Sequence, residues 1–260
     1  MVIITLLTDF GLDDYYVAAM KGVILSRCEH ARLIDISHGI EAQNVLSAAY
    51  VLLGAYQFFP SGTIHLAVVD PGVGSSRRGI ILRTERYNFV GPDNGLFSLV
   101  TPEPVEVFEI QASAYLPVSI SNTFHGRDIF APVAAALAAG IKPEELGTSI
   151  GDPKRLAPLI ESIGPRIKSR IIHIDRFGNG VTGIERRHLS SDLVAGSFAV
   201  WIGDAVVHQY KRFYTEAPVI ADEPFVIWGS LDFLELSVTN GSAAALLGLY
   251  SGQELTLEPR

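Results

Sequence analysis

Val68-Val69-Asp70-Pro71-Gly72-Val73-Gly74-Ser75-Ser76-Arg77-Arg78 is the stretch around which the chain is organised. The run before it, Thr63 to Val69, is almost wholly apolar and reads as a buried strand that stops at Asp70. Pro71 has no N–H to extend a sheet ladder, and Gly72 and Gly74 open backbone angles that side-chained residues resist. The strand therefore ends in a tight loop that presents a carboxylate at the sheet edge, with two arginines a short reach away. Ligands of open α/β sheets bind beyond the carboxyl ends of the strands. The bland alternative is an Asp-Pro-Gly turn with a surface arginine pair, and this loop alone leaves both readings open.

Working outward, the same pattern recurs. Val2 to Leu7 is a continuous apolar strand ending at Thr8-Asp9-Phe10-Gly11, and Tyr15 to Leu25 has helical spacing, with Asp13 or Asp14 placed to cap it. Arg32 to Ile36 is a strand and Ala42 to Phe59 a long apolar helix ending before Pro60. The β-α-β-α-β order predicts a parallel or mostly parallel sheet. Gly79–Thr84 and Tyr87–Val90 read as strands joined at Glu85-Arg86, followed by the turn cluster Gly91-Pro92-Asp93-Asn94-Gly95. Val105–Ile110 is a further strand. Ser121 to Asp128, which contains His125, leads into a helix from about Ile129 to Ala139, with Pro132 in its first turn.

Residues 151–165, with three prolines and two glycines, read as a linker between an N-terminal α/β domain (residues 1–155) and a smaller C-terminal domain (166–260). The second domain carries short strand-like runs and little helical period, which predicts an all-β, barrel-like fold. In it, Asp175-Arg176-Phe177-Gly178-Asn179 forms a polar turn with a phenylalanine. Such a turn suits stacking on a heterocycle, and equally suits a plain hairpin.

Composition narrows the function. The chain of 260 residues is 48% hydrophobic and 18% charged, and its net charge of −8 argues against nucleic-acid and anionic membrane partners while favouring a small cationic substrate. A single cysteine, Cys28, excludes an intrachain disulfide and a cysteine zinc cluster and suits a reducing compartment, the cytoplasm. The N-terminus has no basic n-region, and no apolar run is long enough to span a bilayer. There is no P-loop. Asp9, Asp13 and Asp14 have the oxygen donors a magnesium or calcium ion takes, without the spacing of an EF-hand. His125 taken alone reads as a structural or exposed histidine.

Taken in order, Thr8-Asp9-Phe10-Gly11 with Asp14, Val69 to Gly74 with Arg77, Gly91 to Gly95, Phe124 to Pro132, Asp175 to Asn179, and Leu234-Glu235-Leu236 through Asn240 to Ala244 resemble the S-adenosylmethionine hydroxide adenosyltransferase family, relatives of the fluorinases and chlorinases. The resemblance spans nearly the whole chain. It implies an N-terminal α/β domain, a C-terminal barrel-like domain, and a homotrimer whose substrate lies between subunits. It further implies hydrolysis of S-adenosylmethionine to adenosine and methionine with no cofactor and no metal. By the same resemblance Asp70, Arg77 and His125 are catalytic, and Asp9 and Asp14 bind the ribose and the methionine end. Asp175, Phe177, Asn179, Ser230 and the backbone near Asn240 make the remaining substrate contacts. Two positions depart from the pattern: Leu231 stands where the fluorinase has an arginine, and Thr239-Asn240 occupies the place of an asparagine before the glycine-alanine segment. A halogenase and a non-catalytic nucleoside-binding protein are the alternative readings. On the sequence, Arg77 is expected to lower the pKa of Asp70 and, with His125, to stabilise a developing hydroxide while Asp70 orients the water.

Overall fold

Asp70 and Asp9 stand at the ends of neighbouring parallel strands, because the apolar runs that precede them are buried on both faces. The computed structural model describes residues 2–100, 105–216 and 222–260. These fall into two compact units, Met1–Leu156 and Ala157–Arg260.

The first unit runs β1 (Ile3–Thr8), α1 (Tyr16–Arg27), β2 (Arg32–Ser37), α2 (Val45–Ala55), β3 (Ile64–Val68), β4 (Gly79–Arg83), β5 (Asn88–Pro92), β6 (Glu106–Ile110), α3 (Ala131–Ala138), α4 (Pro143–Leu146) and β7 (Gly147–Ile150). Its seven-stranded sheet has the order β2-β1-β3-β5-β4-β6-β7. The four strands β2, β1, β3 and β5 are mutually parallel, and β4, β6 and β7 continue the sheet antiparallel. The parallel half carries the strand ends of interest. One apolar layer, including Met20, Ile24, Phe130 and Val133, covers one side of the sheet. Another, including Leu52, Phe89 and Phe97, covers the other.

Local expectations for two helices are corrected. The residue capping α1 is Tyr15, with no side-chain bond, and Asp13 and Asp14 lie exposed in the preceding loop. Helix α2 begins at Val45, not Ala42, because Asn44 caps it by accepting from the Ser47 N–H at 2.9 Å. Its α-helical turns end at Ala55, and Tyr56–Phe58 form a 3₁₀ turn. Pro132 lies in the first turn of α3 as expected, and a π-helical turn, Gly126–Phe130, precedes that helix, with the Ala131 N–H bonded to the Gly126 C=O.

The second unit contains β8 (Glu161–Ile163), β9 (Arg166–Ile174), β10 (Gly180–Glu185), α5 (Ser191–Val194), β11 (Phe198–Ile202), β12 (Ala205–Val207), β13 (Gln209–Tyr210), β14 (Pro224–Trp228), β15 (Phe233–Val238), α6 (Ala243–Leu247) and β16 (Glu254–Pro259). Its strands follow the order β12-β11-β16-β9-β10-β15-β14-β13, with β8 paired to β9, and β12 also approaches β14, which makes the sheet barrel-like. The stretch read as a linker is divided: Lys154 and Leu156 bond to the first unit through Asp93 and Ser98, whereas Glu161–Ile163 form β8. Among the described residues no helix is long and apolar enough to cross a membrane.

His65, in the middle of β3, is fully buried among Tyr56, Phe59, Tyr87 and Phe89, with Thr5 Oγ1 2.8 Å from its Nδ1. Burial pushes its pKa down to about 4. An unfolded histidine takes up its proton near pH ~6.5, so His65 contributes stability that is complete above that pH and is lost as pH falls toward 4, by about 3 kcal/mol. Urea unfolding of the protein and of His65→Leu at pH 7.5 and 4.5 tests this. The advantage of histidine over leucine should shrink at the lower pH, and a constant gap refutes it.

Candidate functional site

Thr8, the last residue of β1, is buried and its hydroxyl lies 2.8 Å from His38 Nδ1, while His38 Nε2 lies 3.0 Å from Asp35, itself bonded to Lys21. This chain of polar groups ties the ends of β1 and β2 together. It leaves Asp9 one residue further on, where its Oδ2 accepts from the Gln43 N–H at 2.7 Å. Gln43 takes a left-handed backbone, φ 64°, which a side-chained residue adopts only under local constraint.

One strand away, Asp70 is gripped by Arg77. Nε donates to Oδ1 at 3.0 Å and Nη2 to Oδ2 at 2.5 Å, and both side chains are only 5% exposed. Arg77 Nη2 also donates to His125 Nδ1 at 2.9 Å, and Nη1 to the Arg78 carbonyl at 2.9 Å. The guanidinium lies over the Phe130 ring, 5.2 Å from its centroid. Arginine has no acceptor, so His125 Nδ1 must be the lone-pair nitrogen and a neutral ring carries its proton on Nε2. Burial, and then the Arg77 cation, hold the His125 pKa below its ordinary value, which keeps the ring neutral. For Asp70 the sequence expectation is reversed. Burial raises its pKa above the ordinary value and outweighs the two Arg77 bonds, His125 and the Gly72 N–H, all of which lower it.

Two loops from distant parts of the chain meet here. Gly74 has φ +78°, and a Cβ on it would sit 2.2 Å from the Asn122 carbonyl oxygen, so only glycine fits. Buried Asp128 accepts from the Ser121 N–H and from Arg127, which fixes the loop that delivers His125. The result is a cavity of about 530 Å³ lined by Asp9, Asp70, His125 and an aromatic wall of Phe10, Tyr16 and Phe124. The three rings meet at 5.1 to 6.0 Å between centroids. Arg77 does not line the cavity. It stands behind Asp70 and His125 with four of its five N–H bonds committed, so the expectation that it meets a hydroxide directly is replaced by one in which it holds the two residues that face the cavity.

In the second unit the structure gathers another group. Asp175 Oδ1 accepts from the N–H of Phe177 and of Asn179, each at 2.8 Å, and Oδ2 accepts from Asn179 Nδ2 at 2.8 Å. The carboxylate therefore shapes its own turn. Phe177 is left 77% exposed and Asn179 buried. Gly178 adopts φ +83° against Ser242, and its carbonyl accepts from the Ala244 N–H. This joins the turn to the segment following Asn240, which is exposed with φ 55°. Ser230 is exposed at the β14–β15 turn, and Asp14 is exposed in the loop before α1, outside the cavity lining. Among the described residues no three His, Cys, Asp or Glu side chains come together to hold a metal, so Asp9, Asp13 and Asp14 do not form such a cluster.

Sequence reasoning missed the aromatic wall, although Phe10 and Phe124 lie within two quoted motifs. Glu235 on β15, quoted above without a role, is 7% exposed, accepts from the Tyr214 hydroxyl at 3.4 Å and packs against Gly229.

The fold agrees with what the chain is similar to. Sequence models of the SAM hydroxide adenosyltransferase N-terminal and C-terminal domains match residues 4–147 and 169–256. The chain belongs to that family. It is 36% identical to the (R)-S-adenosyl-L-methionine hydrolase of Thermus thermophilus over 96% of this chain and 97% of that one. It is 43% identical to the protein of the same name from Methanocaldococcus jannaschii over 71% and 67%. A crystal structure of an uncharacterized conserved protein from Thermotoga maritima superposes with a TM-score of 0.86 at 34% identity, covering 98% of this chain and 99% of that one. Proteins named fluorinase are more distant relatives.

Burial, with Asp175 nearby, pushes the Glu235 pKa up to about 7. The folded state therefore holds a proton that the unfolded chain releases near pH ~4.5, and the stability this contributes is lost as pH rises toward 7, by about 3 kcal/mol. Glu235→Gln should raise Tm relative to the parent protein more at pH 8 than at pH 5. An equal change at both refutes the buried-acid assignment.

Proposed function

We propose that the chain hydrolyses S-adenosyl-L-methionine to adenosine and L-methionine by attack of water on the ribose 5′ carbon. The observation that carries this reading is the pairing, on one cavity wall, of a carboxylate acceptor and a neutral imidazole, both held by a buried guanidinium. In the step, the water oxygen bonds to C5′ while the C5′–S bond breaks. Its electron pair leaves with sulfur, so the sulfonium becomes the neutral thioether of methionine. The water proton passes to Asp70, whose raised pKa makes it a better base than an ordinary carboxylate. His125 Nε2–H fixes the water oxygen for in-line attack, and Arg77 keeps both groups in place.

The rest of the cavity suits this substrate. Asp9, with one oxygen held by Gln43, presents the other to the ribose hydroxyls. Phe10, Tyr16 and Phe124 offer ring faces to the sulfonium. The cavity volume is within the range of about 300–1,000 Å³ that small ligands occupy. A halide nucleophile fits less well, because the Asp70 carboxylate repels an anion. The reaction draws on no cofactor, and the lone Cys28, which is unbridged, suits work in the cytoplasm.

We further propose a homotrimer in which a neighbouring subunit completes the site. Its Phe177 stacks on adenine. Asp175 and Asn179 hold the turn that meets the nucleoside, and Ser230, the backbone near Asn240 and Asp14 serve the methionine end.

Incubating the protein with S-adenosylmethionine and chloride distinguishes the readings. Adenosine and methionine are expected; 5′-chloroadenosine indicates the halogenase, and binding without turnover a sensor. Asp70→Ala should lose adenosine formation by about 100-fold or more while still binding substrate; full turnover removes Asp70 from the mechanism. For the assembly, light scattering should give three times the chain mass, and mixed trimers of Asp70→Ala and Phe177→Ala chains should recover activity that neither variant has alone. A monomer with full activity refutes the shared site.

A further inference from the structure

The turn Gly91-Pro92-Asp93-Asn94-Gly95 stands out in the sequence, yet none of its side chains lines the cavity. We infer that its two central residues, Asp93 and Asn94, are positioning residues that clamp the two ends of the Asp70–Arg78 loop and thereby hold Asp70, Arg77 and His125 in register; the catalytic consequence rests on the hydrolase reading above.

Topology supplies the opportunity. Strand β5 lies between β3, which leads into Asp70, and β4, which leaves from Arg78. It is parallel to β3 and antiparallel to β4, with Gly79 opposite Pro92. The residues just past the end of β5 therefore sit between the entry and the exit of the loop, and both bonding partners are within reach.

Asn94 secures the entry. Its Nδ2 donates to the Val69 carbonyl at 2.8 Å, at the peptide unit directly before Asp70, while its Oδ1 accepts from the Leu96 N–H at 3.2 Å. Asp93 secures the exit in two ways. Its N–H donates to the Arg78 carbonyl at 2.9 Å, the same oxygen that accepts from Arg77 Nη1. Its carboxylate, 1% exposed, accepts from Arg78 Nε at 2.9 Å and from the Lys154 N–H at 2.7 Å. Arg78 in turn bonds the Asp152 carboxylate and carbonyl, each at 2.8 Å.

One turn thus fixes the carbonyl that orients the Arg77 guanidinium and the carbonyl that precedes the carboxylate it grips. The geometry gives the two neighbouring arginines different work. Arg77 reaches forward to the reacting groups, and Arg78 reaches back to anchor the loop. A displacement of about 1 Å in a catalytic constellation costs up to ~100-fold in rate, so a clamp at both ends has a measurable effect without touching substrate.

The test is Asn94→Asp, which keeps the acceptor for the Leu96 N–H and replaces the donor to Val69 by a carboxylate oxygen that its carbonyl repels, with Asp93→Asn as the second variant. For both, kcat should fall about tenfold or more with KM within about twofold of the parent. His125, followed by NMR with His125→Gln as the assignment control, should titrate at a higher pH as the Arg77 cation withdraws from Nδ1. This second readout needs no turnover. If the parent protein forms no adenosine, the hydrolase reading fails, while an unchanged or changed His125 titration still decides the clamp. Full kcat with an unmoved His125 titration in both folded variants overturns the inference. So does a rise in KM alone.

Discussion

A guanidinium buried behind the reacting groups is the constraint on which the site depends. Arg77 is a permanent cation in a pocket that excludes most water, and such a charge is costly unless every direction is compensated. Here Asp70 supplies the countercharge, the Arg78 carbonyl and His125 Nδ1 take further N–H bonds, and Phe130 offers its ring face. Each compensating group is thereby fixed, and two of them, Asp70 and His125, form the wall of the cavity. The need to satisfy one charge becomes the precision of the site. Burial holds the acid above its usual pKa against the pull of Arg77, and burial together with the Arg77 cation keeps the imidazole neutral, with its proton on the nitrogen that Arg77 does not touch.

The parallel half of the first sheet is what makes this economical in chain length. Strands β1 and β3 run side by side in register, Ile4 opposite Ile64 through Thr8 opposite Val68, so Asp9 and Asp70 emerge at the same edge. His125 comes from much further along the sequence, delivered by a loop that Asp128 ties down and by a π-helical turn that starts at the next residue. Wide turns of this kind are frequent at functional sites because they re-aim side chains without ending a helix.

What could be read in the sequence follows from which forces act locally. The strand ends at Asp9 and Asp70 were legible because an apolar run that stops at an acid is a local signal, and so was the short-strand character of the second unit. The order of the second sheet was not, since β9 pairs with β16 across most of that unit. The Asp13 or Asp14 cap was misplaced because an acid near a helix start is a statistical cue, and here the chain enters α1 through Tyr15 without a side-chain bond. Ala42 and Gln43 looked helical by composition, yet the Gln43 N–H is drawn to Asp9, a tertiary contact that overrides propensity. The balance at Asp70 was misjudged for a similar reason: a neighbouring arginine is visible in sequence, whereas the depth of burial is not. The wall of Phe10, Tyr16 and Phe124 was not legible, because three separated aromatics converge only in the folded chain.

The contact of Gly74 with Asn122 has a mechanical consequence. A loop that carries the acid and a loop that carries the imidazole share a boundary with no room for even a methyl group, so neither can shift without pushing the other. The two behave as one plate riding on the sheet edge.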